Sequence, residues 1–417
     1  MGLVLRNVRL IGNEGVTHIY IENGIIEAIG EEPKDFTEDE RIDCHGHIAI
    51  PAFINAHTHA YMSVFRNTAD DMPFYNWLFE GVMPKENRMT KQQSYWSSLL
   101  GCAEMIRHGT GTYCDMHMFS GASEEAALKS GMRAVMTRGL SGSDGGDRRL
   151  NEQFAEMDIY GGIDTLTFML APHAIYTCDE EYLKKIVKIA NEKDMDIHVH
   201  ISESVTEIND CLKDHGCTPV KYLDSLGLFE RKTLAAHCVQ VTDEDIEILA
   251  EKGVSVALNP KSNLKLGNGI APVKKMYDAG INLCIGTDSA ASNNALNMFS
   301  EMNYTSMLHK GTNGDSTVIS AKDSFEFATV NGAKALNIDK LGKIEAGYKA
   351  DISIINTDVP QMKPLAKDIY PSLVYCADGS EVDTVIVNGK VLMKDRILLT
   401  IDEEELYYEI NKIAEEL

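Results

Sequence analysis

Imidazoles and carboxylates at the ends of short apolar runs are where this 417-residue chain could do chemistry. His57-Thr58-His59 follows the run PAFINA, and His198-Val199-His200-Ile201-Ser202-Glu203 closes another. His237 ends a third run, TLAAH, and Asp288 follows a fourth, LCIGT. Side chains two apart on a strand point the same way, so His57 and His59 present two rings to one side. Imidazoles from three runs and a carboxylate from a fourth match the N and O donors that hold a first-row divalent ion. HxH alone arises by chance; four such elements in order form a joint signal. His45 and His47 repeat the pattern but precede the first run, and they read as structural. His198 shares a face with His200 deeper in its run and reads as packing. Asp115 and His117 divide evenly between a pocket role and a structural one.

The elements that must position these groups alternate. Strand-like runs at 48–55, 110–115, 133–137, 166–171, 196–201, 233–237, 254–259 and 281–287 are separated by amphipathic helical runs such as 180–193 and 243–252. Eight βα units over this length predict an α/β fold, a (β/α)8 TIM barrel with catalytic groups at the C-terminal strand ends. No GxGxxG follows the first run to favour an open dinucleotide-binding sheet. Both ends are β-rich: runs at 17–20 and 25–29 flank Glu22-Asn23-Gly24, and runs at 351–355, 384–387 and 390–393 lead to a helix at 403–417. The expected organisation is a small β-sandwich domain built from 1–50 and 347–417 around a barrel at 51–346. The balance of 39 basic against 63 acidic residues, net −24, excludes nucleic acid and anionic membrane as favoured partners. Nine scattered cysteines without a CxxC pair suit a reducing cytoplasm. No run is long enough to span a bilayer.

PAFINAHTHA, HISE, AAHCV and IGTDSAASNNALNMF together resemble the amidohydrolase superfamily in its mononuclear aminohydrolase branch, most closely the group that deaminates 5′-methylthioadenosine and S-adenosylhomocysteine. The resemblance runs from the N-terminal β stretch to VDTVIVNGKVL. It implies one divalent ion per subunit, Zn2+ with Fe2+ or Mn2+ as alternatives, on His57, His59, His200 and Asp288. Related two-metal hydrolases carry a lysine after strand four; here that position reads Ala171-Pro172-His173. The resemblance also assigns proton donation to the substrate ring to Glu203, proton transfer from water to the leaving amine to Asp288, and the steadying of hydroxide to His237.

The same resemblance implies substrate contacts. Trp77, beside Phe74 in the loop after strand one, would line an apolar face, or else pack its own helix. Glu86, nine residues on, matches a ribose-binding glutamate. Arg138 and Arg149 match positions that approach a substrate carboxylate, although SDGGDRRL holds an extra residue that makes Arg148 a competitor. His173 matches a substrate-contacting histidine. The expected activity is hydrolytic deamination of an adenosine-type nucleoside. The alternatives are an aminohydrolase of guanine, another free base or an s-triazine, and a non-catalytic scaffold paralogue. A purine nucleoside is the expected partner, with a homo-oligomer left open.

Overall fold

The computed structural model describes residues 2–13, 15–142 and 146–417; the first three residues of SDGGDRRL, Ser143, Asp144 and Gly145, lie outside them. Nine strands form one mixed sheet: β1 (Gly2–Leu10), β2 (Val16–Glu22), β3 (Ile25–Ile29), β4 (Glu40–Asp43) and β5 (Ile48–Pro51) from the N-terminal region, and β14 (Ile352–Ile355), β15 (Val382–Val387), β16 (Lys390–Lys394) and β17 (Ile397–Leu398) from the C-terminal one. Between them lie eight parallel strands: β6 (Phe53–Thr58), β7 (Thr110–His117), β8 (Arg133–Leu140), β9 (Leu166–Pro172), β10 (Ile197–Ile201), β11 (Thr233–His237), β12 (Ser255–Leu258) and β13 (Leu283–Ile285). They pair in chain order, and a bridge between Thr58 and Asp288 joins the last to the first, closing a barrel.

Alternation along the barrel strands divides two cores. Ile54, Cys114, Val135, Met169, Leu234 and Cys284 meet in an interior cluster, whereas Phe53, Tyr113, Met136 and Leu170 join the layer between strands and helices. The apolar run expected as one strand at 48–55 is two. Ile48–Pro51 pairs antiparallel with β14, while Phe53 already pairs with Thr110 of β7. Every residue of both strands is buried, so apolar patterning could not mark where the chain passes from one sheet to the other.

The small sheet curls. Ile19 and Ile26 from one end of the strand order share a core with Ile386 and Val391 from the other, which gives the expected sandwich from a single sheet. Two Asn-Gly hairpin turns meet at this closure. Asn23-Gly24 and Asn388-Gly389 all take positive φ, the geometry that matches strand twist in a two-residue loop. Gly24 O accepts from Ala350 N at 2.7 Å, and Ala350 O from Gly389 N at 3.1 Å. A buried ion pair ties this sheet to the barrel, with Arg133 of β8 reaching Asp351 at 2.9 and 3.2 Å. Among the described residues no helix is long and apolar enough to cross a membrane.

A Cβ on Gly389 would stand 3.1 Å from the Gly24 Cα at a φ of +72°. Gly389→Val is expected to destabilise the fold by about 1–3 kcal/mol, the usual range for a strained backbone position. A urea midpoint equal to that of the parent would show that the two turns do not depend on their close approach.

Candidate active site

The strand ends bring His57, His59, His200, His237 and Asp288 together, all buried. His59 Nε2 stands 3.3 Å from His200 Nε2, and Asp288 Oδ1 lies 3.6 Å from His57 Nε2 and 3.5 Å from His59 Nε2. Hydrogen bonds on the far side of each ring decide what these atoms are. His59 Nδ1 lies 2.7 Å from the Met116 carbonyl and His200 Nδ1 2.8 Å from that of His173, so both protons sit on Nδ1. For His57 the assignment runs through two more residues. The Thr137 hydroxyl donates to Asp115 O at 2.8 Å, so it accepts from His198 Nδ1 at 3.1 Å. His198 Nε2 is then an acceptor, and His57 Nδ1 donates to it at 2.9 Å.

Three Nε2 lone pairs and a carboxylate oxygen therefore face one another with no proton between them. His57 Nε2 is buried and has no hydrogen-bond partner. Burial holds the His57 ring down at about 4 and keeps His200 well below its ordinary value, so neither supplies a charge at neutral pH. Such an arrangement is repulsive alone and fits a cation: ligands at about 2.05 Å on a four-coordinate ion stand about 3.3 Å apart. The residues present suit a divalent metal on His57, His59, His200 and Asp288. No lysine lines this cavity among the described residues.

The two acids of the site are held differently. Asp288 Oδ2 accepts from Ser262 at 2.5 Å and Ser292 at 3.0 Å, and Oδ1 from the Ser289 amide at 2.7 Å, all favouring its charged form. Glu203 has one such partner, Asn268 at 3.0 Å; burial first and the neighbouring Asp288 second push its pKa well above the ordinary carboxylate value. The protonated form of Glu203 is favoured accordingly. His237 donates through Nδ1 to Asn263 at 2.8 Å, leaving Nε2 as an acceptor 3.8 Å from Glu203. Ser202, His237 and Asp288 all take positive φ, strain concentrated where the strands turn into the site.

Above the acids lies a cavity of ≈ 1070 Å³, its open mouth included. Trp77, Glu86, Arg149 and His173 all line it, as expected. Trp77 lines the cavity and also packs within its own segment, stacking on Phe74 while its Nε1 donates to Ala291 O at 3.3 Å. Glu86 accepts from the Tyr61 hydroxyl at 3.2 Å. Arg149 enters the cavity wall, donating to Gly139 O at 2.9 Å, whereas Arg148 is exposed and pairs with Glu152. Arg138 does not line this cavity: it shares the outward face of β8 with Met136, its guanidinium pairs with Glu152, and it lines an adjoining cavity that has Glu86 and Arg149 in common with this one. His198 is a correction, since it orients His57 as well as packing.

Sequence reasoning missed Asn268, Asn263, Ser262, Ser292 and Glu207. Glu207 accepts the amides of Ser202 and Glu203 at 3.0 and 2.7 Å and so fixes the backbone that carries Glu203. Ser204-x-x-Glu207 at a helix start was the signal that could have found it. Thr137 was missed too. Thr137→Val keeps the shape but removes the acceptor that sets the His198 and His57 tautomers. We expect zinc affinity, measured by competition with a chelator, to fall about 10–100-fold, the cost typical of losing an outer partner. An unchanged affinity would mean that His57 is oriented without this chain.

A sequence profile of the amidohydrolase family matches residues 48–392. The chain is 43% identical over 431 aligned positions to the 5-methylthioadenosine/S-adenosylhomocysteine deaminase of Caldanaerobacter subterraneus subsp. tengcongensis, covering 100% of this chain and 99% of the relative. It is 42% identical over 420 positions to the 5'-deoxyadenosine deaminase of Methanocaldococcus jannaschii, with 99% of each covered. A crystal structure of an adenosine deaminase from Xanthomonas campestris with bound zinc superimposes at a TM-score of 0.93 and 29% identity, covering 99% of this chain and 98% of that one. Fold, ligand set and full-length similarity agree: the chain belongs to the amidohydrolase family.

Proposed function

We propose that this protein is a metal-dependent aminohydrolase that converts an adenosine-type nucleoside, 5′-methylthioadenosine or S-adenosylhomocysteine, to the inosine-type product and ammonia. The observation that carries the reading is one cavity with Glu203 and Asp288 at its floor and Glu86 and Arg149 on its walls. Full-length similarity to deaminases of such nucleosides supports it. One ion, zinc for preference, would be held by His57, His59, His200 and Asp288. When bound, a divalent ion lowers the pKa of a water toward roughly 7 and makes hydroxide available at neutral pH.

The chain's own groups handle the protons. Glu203, protonated by its burial, donates to the ring nitrogen beside the amine-bearing carbon, which makes that carbon electrophilic. Asp288, kept ionised by Ser262, Ser292 and the Ser289 amide, takes a proton from the attacking water and passes it to the departing amine. His237, its Nδ1 proton committed to Asn263, offers Nε2 to orient the attacking oxygen. Glu86, on the cavity wall, would bind the ribose diol in this reading, which favours a nucleoside over a free base or triazine.

Ammonia release from a panel of 5′-methylthioadenosine, S-adenosylhomocysteine, 5′-deoxyadenosine, adenosine, guanine and melamine tests the assignment. The adenine nucleosides should be substrates; guanine or melamine preferred over all of them would overturn it. Glu203→Gln should lower turnover at least ~10²-fold with metal content intact, the lower range for a positioned acid. Near-normal turnover would remove Glu203 from the proton path.

Arg149 reads the amino-acid tail in this proposal, so its loss should separate two substrates. Arg149→Ala is expected to lower kcat/KM for S-adenosylhomocysteine roughly 10–100-fold, the cost of a charged hydrogen bond, and to leave 5′-methylthioadenosine nearly unchanged. Glu86→Ala should impair both. Equal losses on both substrates for Arg149→Ala would mean that the arginine supports the wall without reading the tail.

A further inference from the structure

A second cluster of fully buried ligand-type groups lies behind the cavity wall. His117 ends β7, Glu124 projects from the helix Ala122–Ser130, and Glu156 from the helix Gly146–Tyr160 that also carries Arg149. One ligand atom from each lies within 4.8 Å of the others. Neither nitrogen of His117 and none of the four carboxylate oxygens completes a hydrogen bond. Looser contacts from the Ser120 side chain, the Gly121 backbone and Glu124 favour the charged form of Glu156, and one from the Phe119 backbone favours a protonated His117. Arg138 is a single counter-charge shared among several acids: its Nη2 pairs with Glu152 and its Nη1 stands 3.9 Å from Glu156, so it does not neutralise both glutamates of the cluster. Nor does the imidazole, because burial first and Arg138 second push the His117 pKa down to about 3. Burial pushes the pKa of both Glu124 and Glu156 up, with Glu156 adding to the rise at Glu124, because two negative charges that share one arginine in a dry interior cost several kcal/mol.

The spacing repeats that of the active site. His117 Nε2 stands 3.3 Å from Glu124 Oε1, about the separation of two ligands on a four-coordinate ion. We propose that His117, Glu124 and Glu156 hold a structural divalent cation, of the borderline class that accepts both imidazole and carboxylate. It would tie the end of β7 to two helices. With no side chain of the triad open to solvent, the site has no room for substrate and no catalytic part. It stands independently of the proposed activity, because metal content is read without any substrate.

The test is the metal content of the folded protein after Zn2+ or Mn2+ is supplied and the excess removed by gel filtration. The parent should hold two equivalents. Glu124→Gln combined with Glu156→Gln should hold one, and His57→Ala combined with Asp288→Asn should lose the other. An anomalous-scattering peak between His117, Glu124 and Glu156 in crystals of the unmutated protein is expected too, and it needs no variant to fold. One equivalent in the parent with no such peak would overturn the proposal, leaving Glu124 and Glu156 to share a proton. Two equivalents that survive the glutamate substitutions would overturn it equally.

Discussion

Closure of the barrel between β6 and β13 is the constraint on which the site depends. β13 has only three residues, and the seam is held by side chains more than by a ladder. Asn55 Nδ2 donates to the Thr287 hydroxyl at 2.7 Å while Thr287 N donates back to Asn55 Oδ1 at 3.0 Å. Thr58 Oγ1 donates to Asp288 O at 2.9 Å, and Asp288 N to His57 O at 3.0 Å. The seam and the ligand set are thus one structure: closing the sheet brings the carboxylate of the last strand against the imidazoles of the first. A cation at that point joins two ends more than 200 residues apart in sequence, so its binding adds to folding stability in the manner of a cross-link.

Burial does the remaining electrostatic work, and it acts in opposite directions on acids and bases. Imidazoles taken out of water lose their protons, which readies them as ligands, whereas a carboxyl group taken out of water keeps its own. Asp288 escapes that tendency because three donors converge on it; Glu203, with one, does not. Two carboxyl groups in one cavity are thereby pushed apart in acidity, the division that acid–base chemistry at neutral pH requires.

Much of this was legible in the sequence, and the parts that were not share a cause. His57, His59, His200, His237 and Asp288 could be picked out because barrel strands end in functional residues and the runs before them are recognisably strand-like. The small sheet could be read from its two Asn-Gly turns, though not the curl that brings them together. Arg138 lies one cavity over because a motif position says nothing of the face it lies on; the alternation Val135 inward, Met136 outward, places Arg138 outward with His117, its register partner on β7. The groups missed outright (Thr137, Ser262, Asn263, Asn268) are uncharged and act on other side chains from elements far away in the chain. Nothing local distinguishes such a threonine or asparagine from a surface one.

The layout also explains how one chemistry serves different substrates across a family. The residues proposed as metal ligands and proton-transfer groups sit on strand ends locked by the seam, by Glu207 and by the tautomer chain through His198 and Thr137. The groups placed to read a nucleoside sit elsewhere: Trp77 and Glu86 in the segment after β6, Arg149 on the helix after β8. Substitution in those segments reshapes the cavity wall without disturbing a ligand. A change at Asn55 or Thr287 would instead move Asp288 relative to His57, even though neither residue meets substrate. Errors of about 1 Å there are costly because an ion tolerates ligand distances only within about 0.2 Å. In the proposed reading the strand ends therefore hold the reaction, and the segments after β6 and β8 choose what enters it.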